Sequence, residues 1–559
     1  MRGSKALLKM LEDRGVQNIF GYPGATVIPV YDAFLDSNIR HVLVRHEQCA
    51  AHMADGYARV TGIPGVCLST SGPGATNLVT GIATAYADSV PMIAMTGQVG
   101  TGALGAGAFQ EVDAYSLMMP VTKHNFRVLD PERLPHALAE GWEICQTGRP
   151  GPVHIDLPVD QINADIPDDL LKKKWGIKYP IEDTSGIPLA AKWLKAAVRP
   201  VMLVGGGVVR SGAWAETLKL AELLHIPMIT TLMGLGAVPS EHPLNLGPLG
   251  MHGRLGALDA FSGADLILAV GTKFSDRTYS PHTEPSNDCR IIQIDIDSTE
   301  FGKAKRQSVN ICCDAKKGVR MLTDAVSGYQ NNHQQWDTAV VALRKRCQCS
   351  FDRNEVPIKP QKVMCELNKI LARDDTYLTT DVGQNQMWCM HCLDIRRPRQ
   401  FITTGSFGTM GFGLPAALGI KTAKPDAKVL TVVGDGGLQM VIQELATSVA
   451  EDLPVTVVLL DNGWLGMVRQ HQKLFWNARY SGVDLQEPPD FCMIAKAYGA
   501  RGIRVDKAGE VGDALKEAIA CGETCLVDIR VDCEADITPM IPGNPSIPVI
   551  MGDCPYRPA

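Results

Sequence analysis

Eight segments of this chain are almost unbroken apolar runs of five to ten residues, each closing on a glycine or a polar side chain: HVLVR (41–45), GVCLST (65–70), PMIAMTG (91–97), PVMLVGGG (200–207), DLILAVG (265–271), RIIQIDID (290–297), KVLTVVGDGG (428–437) and PVTVVLLDN (454–462). Runs of that length and content suit strands buried on both faces, the environment of a parallel sheet. A parallel pair cannot be closed by a two-residue hairpin and needs a crossover, usually a helix, and helical patterns do intervene between these runs. The fold class is therefore α/β, with a central, mainly parallel sheet flanked by helices in each part of the chain. In such sheets ligands gather at the carboxyl ends of the strands.

Two polar, proline-bearing stretches interrupt the series, Pro167 to Pro188 and Arg344 to Lys362, and both read as linkers. They divide the 559 residues into blocks 1–170, 186–345 and 360–545, with a tail at 546–559. At roughly 100–200 residues per domain, each block can bury a core of its own. Lys and Arg number 54 against 60 Asp and Glu, so the net charge of −6 offers no basic face to nucleic acid or to an anionic membrane. The 16 cysteines are scattered, and the adjacent pair Cys312-Cys313 cannot easily share an unstrained disulfide, which points to a reducing compartment. Cys389-Met390-His391-Cys392 resembles half a zinc site without a second pair at zinc-ribbon distance. The start, MRGSKALLKMLEDRGVQNIF, mixes charges at helical spacing, and no run of 18 apolar residues occurs, so the expectation is a cytoplasmic protein with no leader and no membrane span.

In TVVGDGGLQMVIQELATSV, Gly434-Asp435-Gly436 fall where a buried strand gives way to a helix. Glycines there let a phosphate approach the main chain while the helix amides face it. Asp435 would repel a diphosphate unless a hard cation lay between them, and Mg2+ takes several of its oxygen ligands from phosphate. The next apolar run ends in Asn462, and 462 − 436 − 1 leaves 25 residues between, one helix plus one strand, so Asn462 reaches the same sheet edge as a second oxygen donor. Taken alone, Gly-Asp-Gly is also an ordinary turn. In IRHVLVRHEQCAAHMADGYARVTG, Glu47 stands at a strand-to-helix junction, a place where the helix dipole favours an acid whatever its function.

Further segments bear on these two readings: GYPGATVIPVYD (21–32), STSGPGATN (69–77), GAFQEVDAYS (107–116), GRPGPVHIDLP (148–158), LGMHG (249–253), VGQNQMW (382–388) and GSFGTMGFGLPAA (405–417). With Glu47 and the Gly-Asp-Gly…Asn pattern, they make nearly the whole chain resemble the catalytic (large) subunit of acetohydroxyacid synthase, also called acetolactate synthase, a thiamine diphosphate-dependent enzyme family. The resemblance implies a thiamine diphosphate-binding fold in which block 1–170 takes the pyrimidine, block 360–545 the diphosphate and Mg2+, and block 186–345 binds FAD. It implies carboligation: pyruvate loses carbon dioxide and the remainder joins a second 2-ketoacid, pyruvate or 2-ketobutyrate, in the first common step of branched-chain amino acid biosynthesis.

Carried over residue by residue, Glu47 would hydrogen-bond the aminopyrimidine and favour the imino tautomer that removes the thiazolium C2 proton. Asp435, Asn462 and the Trp464 carbonyl would ligate Mg2+, and Gly383, Gln384, Gly408, Met410, Gly434 and Gly436 would surround the cofactor. Met410 would bend it, although methionine also serves as a core gap-filler. Phe109 and Gln110 would border the reacting carbon, with simple packing the alternative for Phe109. Arg149, Gly205, Gly206, Gly207, Thr231, Leu232, Met251, His252, Asp295, Ile296 and Asp314 fall on the family's FAD contacts, while GGGVVRSG lacks the third glycine of a dinucleotide fingerprint. That FAD does no net redox chemistry. Arg277 would hold the acceptor carboxylate in its guanidinium fork, an ordinary ion pair being the plain alternative. A homodimer or homotetramer is implied, with a small regulatory subunit as a candidate partner.

Four positions depart from the family: Ala25 replaces a glycine, Val159 a lysine near the active-site entrance, Lys273 an arginine at the flavin, and His471 a tryptophan in the substrate pocket, which Ala25 and Met467 would also border. Rival readings are a pyruvate oxidase, a 2-ketoacid decarboxylase, a non-catalytic binding protein on the same fold, and a flavin oxidoreductase working without thiamine. The last two leave Glu47, Asp435 and Asn462 together unexplained.

Overall fold

A computed structural model of the chain describes residues 1–550 apart from 172, 174–180, 305, 330–333, 346–353, 374, 545 and 548, so most of the expected tail and parts of both expected linkers lie outside the described residues. Three six-stranded sheets form, and every strand pairing within them is parallel. The first comprises β1 (Asn18–Gly21), β2 (Arg40–Leu43), β3 (Gly65–Ser69), β4 (Met92–Gln98), β5 (His124–Arg127) and β6 (Pro152–Pro158), in the order β2-β1-β3-β4-β6-β5. The second comprises β7 (Pro200–Val204), β8 (Met228–Thr230), β9 (Asn245–Pro248), β10 (Leu266–Val270), β11 (Arg290–Asp295) and β12 (Ser308–Cys312), in the order β12-β11-β10-β7-β8-β9. The third comprises β13 (Thr376–Thr380), β14 (Phe401–Ile402), β15 (Lys428–Gly434), β16 (Thr456–Asp461), β17 (Arg501–Val505) and β18 (Cys525–Arg530), in the order β14-β13-β15-β16-β18-β17. All eight apolar runs are strands, and the α/β reading holds in each block.

Alternate side chains of each strand feed different cores, as the two-residue repeat requires. On β4, Met92 and Ala94 enter one cluster while Ile93 and Met95 enter another. Strand β7 splits in the same way, Met202 and Val204 from Val201 and Leu203. The cluster that takes Met92 and Ala94 does not stop at the first domain: it continues through Phe412, Leu414, Ala417, Val429 and Leu459 of the third. The first and third domains therefore share one core.

The seam is a helix pair, Glu47–Thr61 against Gly413–Ala423. A β-carbon on Gly56 would fall inside the carbonyl group of Ala416, and one on Gly419 inside that of Met53. Only hydrogen fits between the two main chains. Beside the seam, Arg59 is clamped by Asp55 and by Asp88 at 3.0 Å and donates to the Thr403 carbonyl at 2.8 Å, so a buried ion network crosses the same joint.

Overpacking at such a contact costs about 1–3 kcal/mol. Gly419→Ala should therefore lower the thermal midpoint clearly, while Gly509→Ala, where an added methyl meets nothing within 4 Å, should leave it within error. Equal midpoints for the two variants would show that the seam is not tight.

Candidate active site

Strand β15 ends at Gly434, and Asp435 opens the short helix Asp435–Gln439. Its carboxylate is 2% exposed and accepts from the Gly436 amide at 2.8 Å and, across the sheet edge, from the Gly463 amide at 2.6 Å. The neighbouring strand β16 ends one residue before Asn462, whose side-chain oxygen accepts from the Trp464 amide at 2.9 Å. Two oxygen-bearing side chains are thus brought to one point from consecutive parallel strands. Burial pushes the Asp435 carboxyl up, and it pushes Asp461 up to about 6, with the charge of Asp435 adding to the effect. Asp528 on β18 also rises to about 6 through burial and then the charge of Asp461. Arg530 offsets part of this cluster at 2.8 Å from Asp461.

Asp435 and Asn462 open into a cavity with Gly383, Met410, Gly436 and Trp464 in its wall. Gly383 has φ +134°, a conformation reserved for glycine, where the chain leaves β13 for the helix Gln384–Cys392. Gln384 is oriented by Gln470 at 2.9 Å and the Ala535 carbonyl at 3.1 Å. Asn385, in the same wall, has a buried side-chain oxygen without a partner among the described residues.

Two residues that sequence reasoning missed organise this cavity from behind. Asp381, fully buried, accepts from the Gly411 and Gly413 amides at 3.0 and 3.1 Å and from Val382 at 2.8 Å, tying the loop that carries Met410 to the end of β13. Arg469, also without exposure, pairs with Glu534 and with Asp536 at 3.4 Å, and lies over the rings of Trp464 and Tyr480 at 5.7 and 5.6 Å. The signal for Asp381 is a lone acid at the end of a buried strand, TYLTTD, the same pattern that exposed Asp435.

Most of the expected flavin residues, though not Gly205, Met251 or His252, line a trough beside the second sheet. One part contains Arg149, Gly207, Asp295, Ile296 and Asp314; the other contains Gly206, Thr231, Leu232 and Arg277; they meet at Arg210, Gly271 and Lys273. Arg149 is held by Ser89 at 2.8 Å and by Asp297 at 3.4 Å. Burial raises Asp295 to about 6, and Asp314 also caps the helix Ala315–Ala325. The glycines at 205 and 207 have a packing reason of their own: a β-carbon on either would meet the main chain of Gly271.

Arg277 donates to the Met251 sulfur at 3.3 Å, and its charge joins burial in lowering both His471 and His252, so these four residues from two domains share one neighbourhood. Buried His252, pushed down to about 3, bonds the Pro539 carbonyl at 3.1 Å. His471 stands 5.7 Å from the Phe475 ring in a groove with Met467. The first domain's residues lie elsewhere. Glu47, first residue of its helix, accepts from Asn77 at 3.0 Å; Phe109 is 87% exposed; Gln110 takes φ +58°; Ala25 is exposed at the start of a short helical turn. Among the described residues, none from the first domain lines the Asp435 cavity.

The reading of Cys389–Cys392 as half a zinc site is not supported: His391 bonds the His252 carbonyl at 3.0 Å, Cys389 lies on the Met364 sulfur, and no group of three His, Cys, Asp or Glu among the described residues could hold a metal.

Comparison with known proteins assigns the chain. Residues 1–117 match the model of the thiamine pyrophosphate enzyme N-terminal TPP binding domain, 187–322 that of the central domain, and 381–529 that of the C-terminal TPP binding domain. A probable acetolactate synthase large subunit of Methanocaldococcus jannaschii is 47% identical, the match covering 97% of this chain and 94% of that protein. The acetolactate synthase large subunit of Corynebacterium glutamicum is 42% identical over 98% and 89%, and the isozyme 3 large subunit of Escherichia coli 41% over 97% and 96%. This chain belongs to the acetolactate synthase large-subunit family.

The acetolactate synthase relationship spans all three domains, so the Asp435 cavity and the trough beside the second sheet belong to one family unit rather than to a fusion. The trough itself is closed by residues from both sides, Gly405 and Ser406 from the third domain and Asp88 from the first.

Burial lifts Asp381 from the usual carboxylate range to about 6, so the folded chain holds this proton more tightly than the unfolded one. The stability it contributes is present below the unfolded value and is lost as pH rises through about 6. The unfolding free energy of the unaltered chain minus that of Asp381→Asn should fall between about pH 3.5 and 6.5, by up to about 3 kcal/mol. A difference that climbs over this interval would contradict the burial argument.

Proposed function

We propose that this chain is the catalytic subunit of an acetolactate synthase, which decarboxylates pyruvate and joins the two-carbon remainder to a second 2-ketoacid. The observation that carries the reading is the pair Asp435 and Asn462, brought by adjacent strands of the third domain to one glycine-walled cavity in a chain of this family. The donor set is hard oxygen, which suits Mg2+ and, through it, a diphosphate. The buried, strained-up carboxyl of Asp435 favours a cation beside it. Thiamine diphosphate, when bound, supplies the carbon centre at which a 2-ketoacid can lose carbon dioxide.

The chain's own residues do the rest. Asp435, Asn462 and the Trp464 carbonyl hold the metal; Gly383, Gly434 and Gly436 admit the diphosphate close to the main chain; Gln384 and Met410 orient and support the rings. Arg277 presents a guanidinium to the acceptor carboxylate next to His471, a neutral imidazole at pH 7 because burial and Arg277 both lower it. Glu47 would hydrogen-bond the pyrimidine. Among the described residues none from the first domain lines the Asp435 cavity, which supports a homodimer in which Glu47, Phe109, Gln110 and Ala25 of one copy complete the cavity of the other. Arg149, Asp295 and Thr231 in the trough would hold FAD as a structural group. The relatives are named as large subunits, which supports a small regulatory partner, and the 13 described cysteines, all free thiols, suit a cytoplasmic setting.

Product analysis after incubation with pyruvate, thiamine diphosphate, Mg2+ and FAD tests the reading: acetolactate is expected, whereas acetaldehyde or acetate as the main product would replace it with a decarboxylase or an oxidase. Mixing the inactive variants Glu47→Gln and Asp435→Ala should restore up to about a quarter of the activity through hybrid dimers carrying one intact site. No recovery despite verified subunit exchange would place Glu47 and Asp435 in the same chain's site. One methylene in a fitted pocket is worth about 1–3 kcal/mol. His471→Trp should therefore raise the preference for 2-ketobutyrate over pyruvate severalfold, and an unchanged product ratio would remove His471 from acceptor selection.

A further inference from the structure

The waist of the trough holds two half-buried cations that pair with no carboxylate among the described residues. Arg210, at the end of the short helix Gly206–Arg210, donates to the Asp88 carbonyl, and Lys273 donates to the Ala87 carbonyl. The nearby acids are already committed. Asp88 accepts from Arg59 at 3.0 Å and from the Gly405 and Ser406 amides at 2.9 and 2.8 Å; Glu300 pairs with Lys303 and with Arg149 at 3.5 Å. Both cations feel the deficit: burial and then Arg59 press Arg210 down to about 10, and burial followed by Arg149 and Arg210 presses Lys273 down to about 8. Asp55 and Asp88 oppose this at Arg210, and Asp88 and Glu300 at Lys273, without cancelling it. Positive charge left half-buried and unpaired in this way favours an anion joining it.

Both cations face both parts of the trough, and they are the only charged residues common to its two halves among the described residues. We infer, resting on the flavin reading above, that Arg210 and Lys273 together grip the diphosphate of FAD at this waist, and that Arg210 is an additional anchor which offsets the lysine standing where the family resemblance leads one to expect arginine. Lysine is a point charge and cannot offer the two-pronged fork of a guanidinium, so a second cation of fork geometry restores what Lys273 lacks.

The test uses the full-length chain stripped of flavin, with FAD itself as the probe, its Kd read from flavin fluorescence and the thermal midpoint read without ligand. Arg210→Met should weaken FAD about ten- to a hundredfold, the range for hydrogen bonds to charged groups, and Arg210→Lys should recover part of it. The ligand-free midpoint of Arg210→Met should equal or exceed that of the unaltered chain, because a half-buried charge without a carboxylate partner has gone. A purely structural role would lower that midpoint instead. An unaltered chain that binds no FAD would overturn the flavin reading itself. FAD binding in the unaltered chain that Arg210→Met leaves unchanged, or a variant whose ligand-free midpoint falls, would overturn this inference alone.

Discussion

The helices Glu47–Thr61 and Gly413–Ala423 touch main chain to main chain, and the rest of the molecule depends on that approach. Gly56 and Gly419 leave no side chain between them, so the first and third domains lock at a fixed spacing and pool their apolar side chains into one core. One end of the first helix presents Glu47, and the loop leading into the second presents Gly408 and Met410, held to β13 through Asp381. At the other end, Arg59 draws Asp55 and Asp88 to the joint, and Asp88 in turn fixes Gly405 and Ser406, which border the trough. Packing and buried charge at one seam thus orient parts of both candidate cofactor regions.

Those two regions are electrostatic opposites. At the edge of the third sheet, Asp435, Asp461 and Asp528 crowd together and burial raises all three, so the cavity favours a cation. At the waist of the trough, where its two parts meet, the charged residues are Arg210 and Lys273, and that point favours an anion. A protein interior tolerates such imbalances poorly by itself, so each region acquires a selective demand for a charged ligand before any shape complementarity is considered.

Much of this was legible from residues alone. KVLTVVG reads as a strand because every side chain from Val429 to Val433 is buried, and Asp435 follows from where that strand must stop. Short strands such as Phe401–Ile402 and Arg501–Val505 lack the run: the first has two residues and the second carries exposed arginines at an edge. Asp381 carried a signal in the acid that ends TYLTTD, but its task was not legible because its partner Gly411 arrives from a distant segment, and Arg469 had no signature apart from partners such as Asp536. The meeting of Arg277 with His471 is likewise a product of two domains. For the triple glycine the sequence suggests a ligand approaching the main chain, yet at Gly205 and Gly207 the nearest neighbour is β10's own end at Gly271, so packing already accounts for two of the three.

The shared core also sets an order of events during synthesis. The Glu47–Thr61 helix buries Cys49, Ala50, Met53, Ala54, Tyr57 and Val60 in a cluster completed by residues beyond Ile402. After Thr61 the ribosome adds 423 − 61 = 362 residues to reach Ala423, and at roughly 5–20 residues per second their translation takes about 20–70 s. Throughout that interval the nascent first domain carries an oily helix face whose partner has not left the ribosome. Its parallel strands supply no hairpin to fold early and hide that face. Holdase chaperones, rather than the chain itself, must cover the gap, and a transcript cut short before residue 413 would yield a sticky fragment instead of a smaller working domain.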